Sequence, residues 1–180
     1  MSSLGGGGAE KVAINIANSK KNNITLVSLT SIFDYDPSDL KKEVKIITYK
    51  EKRTRFSLLK FLFYLRKNRP EYILSTSRDT NLCISFLSIF LNYYPKLIFR
   101  EENTIERLKT DIPSNQYLNS ILIRFFPSLL RLIVSLAYLR CSKIIANSID
   151  TASDIKSYLL FKKNKIKFIP NPVLPIGFNS

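Results

Sequence analysis

The sequence predicts an α/β fold, with a doubly wound and mostly parallel sheet in one domain. Three observations predict it. Short runs rich in β-branched residues alternate with stretches of helical periodicity. The 180 residues are 45% hydrophobic, enough for one sizeable core and too few for two full α/β domains. Four of the five glycines stand together at positions 5–8, directly ahead of a helical pattern.

The elements follow in order. Residues 11–19 read as a helix, with Val12 and Ile16, and Ala13 and Ala17, four apart. Residues 24–30 and 44–49 read as strands. A helix is expected over 56–68, ending before Pro70, and a strand over 72–76. Asp79 and Thr80 can cap the helix that continues to Leu91. Strands are expected at 96–100, 143–147 and 166–169, with a helix over about 148–161 between the last two. Strands alternating with helices make βαβ units, hence a sheet covered on both faces. A doubly wound fold places a strand ahead of the glycine turn, in the middle of the sheet. Only Met1–Leu4 precede the turn, so that strand is expected to be missing or a stub, with a gap between the strands near Ile24 and Tyr72.

Composition removes several chemistries. The chain has no histidine, which excludes a Ser-His-Asp triad, a Cys-His pair and His-ligated zinc within it. Cys83 and Cys141 lie far apart without CxxC partners, so neither a metal site nor a disulfide is expected, and a reducing, cytoplasmic setting fits. The opening residues have neither a basic start nor an apolar stretch, so no secretory signal is expected. The net charge of +14 favours anionic partners, but Lys, Asn and Ile recur throughout, as an AT-rich gene would also give. The stretch 41–69 carries eleven Lys or Arg against Glu43 and Glu51. It suits anionic lipid headgroups, and equally an ordinary solvated face, the preferred reading.

The glycines at 5–8 suit a turn that needs positive φ or close approach of a ligand to backbone. The helix after them offers unpaired N–H groups and a positive dipole end to a phosphate or a sugar hydroxyl. A flexible leader without a role is the alternative. The dinucleotide pattern GxGxxG is not met, since position 10 is Glu10, so an oxidoreductase is disfavoured.

Four segments together carry a resemblance: Gly6-Gly7-Gly8-Ala9-Glu10 before a helix, Arg100-Glu101-Glu102-Asn103-Thr104 after a strand, Ser142–Ser148 (SKIIANS), and Ile169-Pro170-Asn171-Pro172-Val173. In this order they resemble the N-terminal, Rossmann-like domain of retaining GT-B glycosyltransferases of the family-four type, the group that includes lipopolysaccharide and capsule sugar transferases. The resemblance runs over nearly the whole chain. It implies an acceptor-side domain over 1–170 and a hinge segment over 171–180, leading toward a donor-binding half that this sequence does not contain. It implies transfer from a nucleotide-sugar co-substrate to a cell-envelope glycan or lipid-linked acceptor, with no resident cofactor. It further implies a chain that is inactive alone, a fragment truncated at both ends. The site residues it implies are Gly6, Gly7, Gly8, Arg100, Glu101 and Asn103.

The residues themselves support part of that list. Arg100, Glu101 and Asn103 fall at the carboxyl end of an expected strand, where open α/β sheets hold ligands, although polar loops after strands are common. Ser77, Arg78 and Asp79 follow another strand in the same way. The helix expected over 121–142 carries Arg124, Ser128, Arg131, Ser135 and Ser142 as one polar stripe on an apolar cylinder, with Pro127 at its first turn or a kink. Burial against the sheet is the preferred reading and contact with a membrane interface the second. The latter extends to peripheral contact with the cytoplasmic face of the inner membrane. Rival functions are a non-catalytic remnant or binding module of a split transferase gene, and a basic nucleic-acid-binding protein. The second is disfavoured because no RNA- or DNA-binding signature is present.

Overall fold

The structure, a computed structural model, describes residues 8–19, 23–29, 40–49, 54–102, 127–161 and 163–171. The elements are α1 (Gly8–Ser19), β1 (Thr25–Ser28), β2 (Lys45–Thr48), α2 (Thr54–Asn68), β3 (Tyr72–Ser75), α3 (Arg78–Ile89), β4 (Lys96–Glu101), α4 (Pro127–Leu139), β5 (Cys141–Ala146), α5 (Ile149–Tyr158), a 3-10 turn (Lys163–Lys165) and β6 (Ile166–Phe168). Every strand pairing is parallel: β1 with β2, β3 with β4, β4 with β5 and β5 with β6. Parallel neighbours need crossover helices, which is why the sequence alternates the two periodicities.

The pairings form two sheets, β1-β2 and β3-β4-β5-β6, rather than one. Among the described residues β1 and β3 do not pair with each other, at the place where the sequence leads one to expect the gap. The two sheets nevertheless share a core. Leu29 at the end of β1 belongs to the same cluster as Phe61 and Leu65 of α2, Ile73 of β3, Ile84 of α3, Phe99 of β4, Val134 and Tyr138 of α4, Ile144 of β5 and Ile155 of α5. Val27 packs against it as well. Leu26, one residue away, points to the opposite face and packs with Ala13, Ile14 and Ala17 of α1 and with Leu40. Helices therefore cover both faces, as in a doubly wound fold.

Several boundaries differ from expectation, each for a local reason. Helix α3 begins at Arg78 with Ser77 as its extended cap residue, so Asp79 and Thr80 sit in the first turn. The Ser77 hydroxyl pairs with the Thr80 hydroxyl instead of a backbone N–H. Helix α4 has Pro127 as its first residue, where a missing N–H is harmless. Strand β5 starts at Cys141, two residues earlier than expected, which puts Ser142 on a strand and not on the helix. Only Arg140 separates the two elements, and nothing in that residue signals a helix stop. Helix α2 ends on Arg69, whose φ of 44° is left-handed and whose N–H bonds Leu65 O at 2.9 Å, before Pro70. Helix α5 is capped by Ser148, whose side chain accepts the Thr151 N–H at 3.0 Å.

The polar stripe of α4 turns inward at Arg131 and Ser135, while Ser128 is exposed. Arg131 donates from Nε to Tyr158 O at 2.7 Å and from Nη2 to Ser157 O at 2.9 Å, at the carboxyl end of α5. Ser135 donates to Arg131 O at 2.7 Å and accepts the Leu160 N–H at 3.1 Å. Val134 and Tyr138 enter the core. The helix is thus buried on one side, as preferred, while Leu129, Leu132, Ile133 and Leu136 remain exposed. Arg124 lies outside the described residues.

Candidate functional site

Parallel strands bring all their carboxyl ends to one edge of the sheet. At that edge β4 ends in Arg100-Glu101, both buried, on alternate faces of the strand. Glu101 faces the helices. Its Oε2 accepts from Arg78 Nε at 3.1 Å and Nη2 at 2.9 Å, and its Oε1 accepts from Asn81 Nδ2 at 2.8 Å and from the Tyr138 hydroxyl. One carboxylate therefore ties β4 to α3 and α4. Burial opposes the Arg78 charge, but Glu101 and Tyr138 outweigh it and the guanidinium pKa is raised. Burial, and then the Glu101 charge, push the Tyr138 phenol far above its ordinary value, so it stays a donor.

Arg100 takes the other face. Its guanidinium pairs with Glu102 and with the Asn171 side-chain oxygen beyond β6. Asn147, just past β5, donates from Nδ2 to Glu102 O at 3.1 Å. The segments Arg100–Glu102, Asn147 and Asn171, distant in sequence, thus meet across the carboxyl ends of β4, β5 and β6. Among the described residues, the buried Asn147 Oδ1 and the Ser75 hydroxyl at the end of β3 meet no hydrogen-bond partner. The edge offers two arginines, each neutralised by a glutamate, together with amides and hydroxyls. Such a surface can hydrogen-bond a hydroxyl-rich ligand.

The expected residues divide as follows. Arg100 and Glu101 come to this edge, but as the last residues of β4 and not in a loop after it. Arg78 joins them through Glu101, while Asp79 is exposed in the first turn of α3. Gly8 opens α1, and among the described residues outside its own helix no heavy atom stands within 4 Å of the place where its Cβ would be. Gly6, Gly7 and Asn103 lie outside the described residues. Sequence reading missed Asn81, Glu102, Asn147, Asn171 and Tyr138 as individual contacts. The available signal for Tyr138 was its spacing of seven from Arg131 and three from Ser135, which extends the polar stripe. A shallow pocket lined by Ser88, Tyr94, Lys96 and Arg140 opens at the amino ends of β4 and β5, away from these groups. Among the described residues no three His, Cys, Asp or Glu side chains gather as a metal site.

No family model and no curated protein matches the sequence. Solved structures do match the fold. The lipopolysaccharide outer core galactosyltransferase WaaB in its apo form aligns with a TM-score of 0.66 at 14% identity, over 96% of this chain and 44% of that one. HepE of Anabaena, solved in complex with UDP, aligns with a TM-score of 0.58 at 14% identity, over 95% of this chain and 42% of that one. The chain spans less than half the length of either structure. At this identity the likeness establishes architecture: the chain has the fold of one Rossmann-like half of a GT-B protein.

Proposed function

We propose that the chain is the acceptor-side half of a retaining glycosyltransferase of the family-four type. The reaction would move a sugar from a nucleotide-sugar to a cell-envelope glycan or lipid-linked acceptor, on the cytoplasmic side. The observation that carries the reading is the meeting of Arg100, Glu102, Asn147 and Asn171 at the carboxyl edge of β4–β6, where open α/β sheets bind ligands. The three resemblance segments that contain these residues are brought together by the fold, which a chance match of short motifs does not require. The fold shared with WaaB and with UDP-bound HepE supports the same class.

In this reading the chain's own groups position. Glu101 fixes Arg78, Asn81 and Tyr138, and so the angle at which α3 and α4 meet the edge. Glu102 and Asn171 hold the Arg100 guanidinium in one orientation, and Asn147 ties β5 to the same strand end. Stabilisation of a leaving nucleoside diphosphate needs donors aimed at its phosphates. The resemblance assigns most of those to a donor half outside this sequence, so residues 1–180 are proposed to bind without turning over. Equilibrium dialysis against labelled UDP-sugars and glycan acceptors, with product analysis, tests both parts. The account expects millimolar-range binding that weakens in Arg100→Met and Asn171→Ala, and no sugar transfer. Turnover by this chain alone would overturn the proposed inactivity, and binding indifferent to both substitutions would overturn the site.

A further inference from the structure

The sheet has a second end. Each crossover helix runs back to the amino end of the next strand, so the short links after α3 and α4 meet there. Tyr94 and Pro95 lead into β4, and Arg140 alone leads into β5. A cavity of about 360 Å³ opens between them, and its lining includes Ser88, Tyr94, Lys96, Arg140 and Ser142. It lies at the opposite end of the strands from Arg100 and Glu101. Sites for small molecules span roughly 300–1,000 Å³, and one near the lower bound has room for a monosaccharide rather than an oligosaccharide.

The groups around the cavity are uncommitted where their counterparts elsewhere are spent. Arg66, Arg78, Arg100 and Arg131 each give guanidinium N–H groups to a carbonyl or a carboxylate. Among the described residues Arg140 has no acceptor, and its guanidinium lies over the ring of Tyr94, 5.9 Å from the centroid. A cation at the carboxyl end of α4 suits the helix dipole, but that attraction occupies none of the N–H donors of a guanidinium. Lys96 bonds Glu71 and the Tyr72 hydroxyl, both at 3.0 Å, which neutralises the carboxylate beside the cavity. Lys165 brings a further cation, donating to Cys141 O at the start of β5. Tyr94 itself is 89% exposed, so its ring presents an apolar face to water at this end. A bare aromatic face takes the apolar side of a sugar ring, and a guanidinium beside it takes a phosphate or carboxylate through paired N–H bonds.

We propose that this cavity binds an anionic monosaccharide, with the sugar ring on Tyr94 and the phosphate or carboxylate on Arg140. The inference does not rest on the transferase reading, which concerns the other end of the sheet. It is tested by amide-resolved NMR of the labelled full chain, titrated separately with glucose 6-phosphate, glucuronate, glucose and inorganic phosphate. The sugar anions are expected to shift the amides of Tyr94, Lys96, Leu97, Cys141 and Ser142 with millimolar affinity, and glucose to bind about ten-fold more weakly or less. Saturation by the phosphate ester alone, or by the uronate alone, upholds the site and names its anion. Arg140→Met should weaken the sugar anions about ten-fold, the scale of one charge-assisted hydrogen bond, with an unchanged circular dichroism spectrum. Tyr94→Ala should weaken them several-fold and leave inorganic phosphate unaffected, since phosphate has no ring to stack. Lys11→Met removes the same charge from α1 and should change nothing. Glucose binding as tightly as the anions, Lys11→Met acting like Arg140→Met, or no shifts at this end overturns the proposal. Uridine monophosphate binding more tightly than both sugar anions overturns it too, and assigns the cavity to a nucleotide.

Discussion

Replacing Glu101 by Leu removes one carboxylate of similar volume and leaves three donors facing its place. The structure fixes what is lost: two bonds from Arg78 at 3.1 and 2.9 Å, one from Asn81 at 2.8 Å and one from the Tyr138 hydroxyl. Glu101 is 2% exposed and the Arg78 side chain 14%, so the orphaned charge has little water to turn to. Removing one partner of a buried pair costs about 3–5 kcal/mol. A domain of this size holds only about 5–15 kcal/mol in all. The variant is therefore expected to lose between about a fifth and all of its stability in urea unfolding followed by circular dichroism. The double variant Arg78→Met, Glu101→Leu should recover most of that loss, because an apolar pair in place of a buried ion pair is often neutral. The recovery should stop about 1–3 kcal/mol short, for the Tyr138 hydroxyl still without an acceptor, while Asn81 Nδ2 keeps Arg100 O at 3.3 Å and the Tyr138 oxygen at 3.2 Å. A single-variant cost below about 1 kcal/mol, or a double variant less stable than the single, would refute the role given to this carboxylate.

Tyr138→Phe should cost about 1 kcal/mol in the same assay, since it removes one donor and keeps the edge-to-face contact with Phe99 at 5.2 Å. The raised phenol also sets a pH dependence. An unfolded tyrosine ionises near pH 10 while the buried one does not, so this contribution is complete below pH ~10 and is lost as pH rises above it. Alkaline unfolding curves of the wild type should show that fall, and Tyr138→Phe should flatten it. Arg69→Gly should stabilise by about 0.5–1 kcal/mol, because only glycine accepts a left-handed φ without cost; a loss measured in urea would contradict the helix end described. Ser148→Ala should cost about 1 kcal/mol through the orphaned Thr151 N–H and should first raise hydrogen exchange in the opening turn of α5.

The parallel strands were legible because a buried parallel strand is a short, nearly continuous apolar run, as in Ile144-Ile145 or Leu97-Ile98-Phe99. The carboxyl edge was legible in part, since open α/β sheets hold ligands where their strands end, and Arg100 and Glu101 both reach that edge. Long-range partners were not legible. Nothing local couples Asn81 to Tyr138, or Arg100 to Asn171, because each pair is joined by crossovers whose lengths carry no record of the contact. The helix-to-strand change at Arg140 escaped for a different reason: it has neither glycine nor proline, and Cys141 and Ser142 continue a helical period as well as they begin a strand. Burial of α4 was legible from its apolar character, but the partner of its polar stripe was not, since nothing local couples Arg131 to the carbonyls at the end of α5.

The central claim is that ligand meets this chain at the carboxyl ends of β4, β5 and β6. An amide-resolved NMR titration of the isotopically labelled protein with a glycan acceptor addresses it most directly. The account predicts that the shifts cluster at Arg100–Glu102, Asn147, Ser148 and Asn171, and that Arg100→Met diminishes them together. Shifts confined to the opposite end, around Tyr94, Lys96 and Arg140, would contradict it.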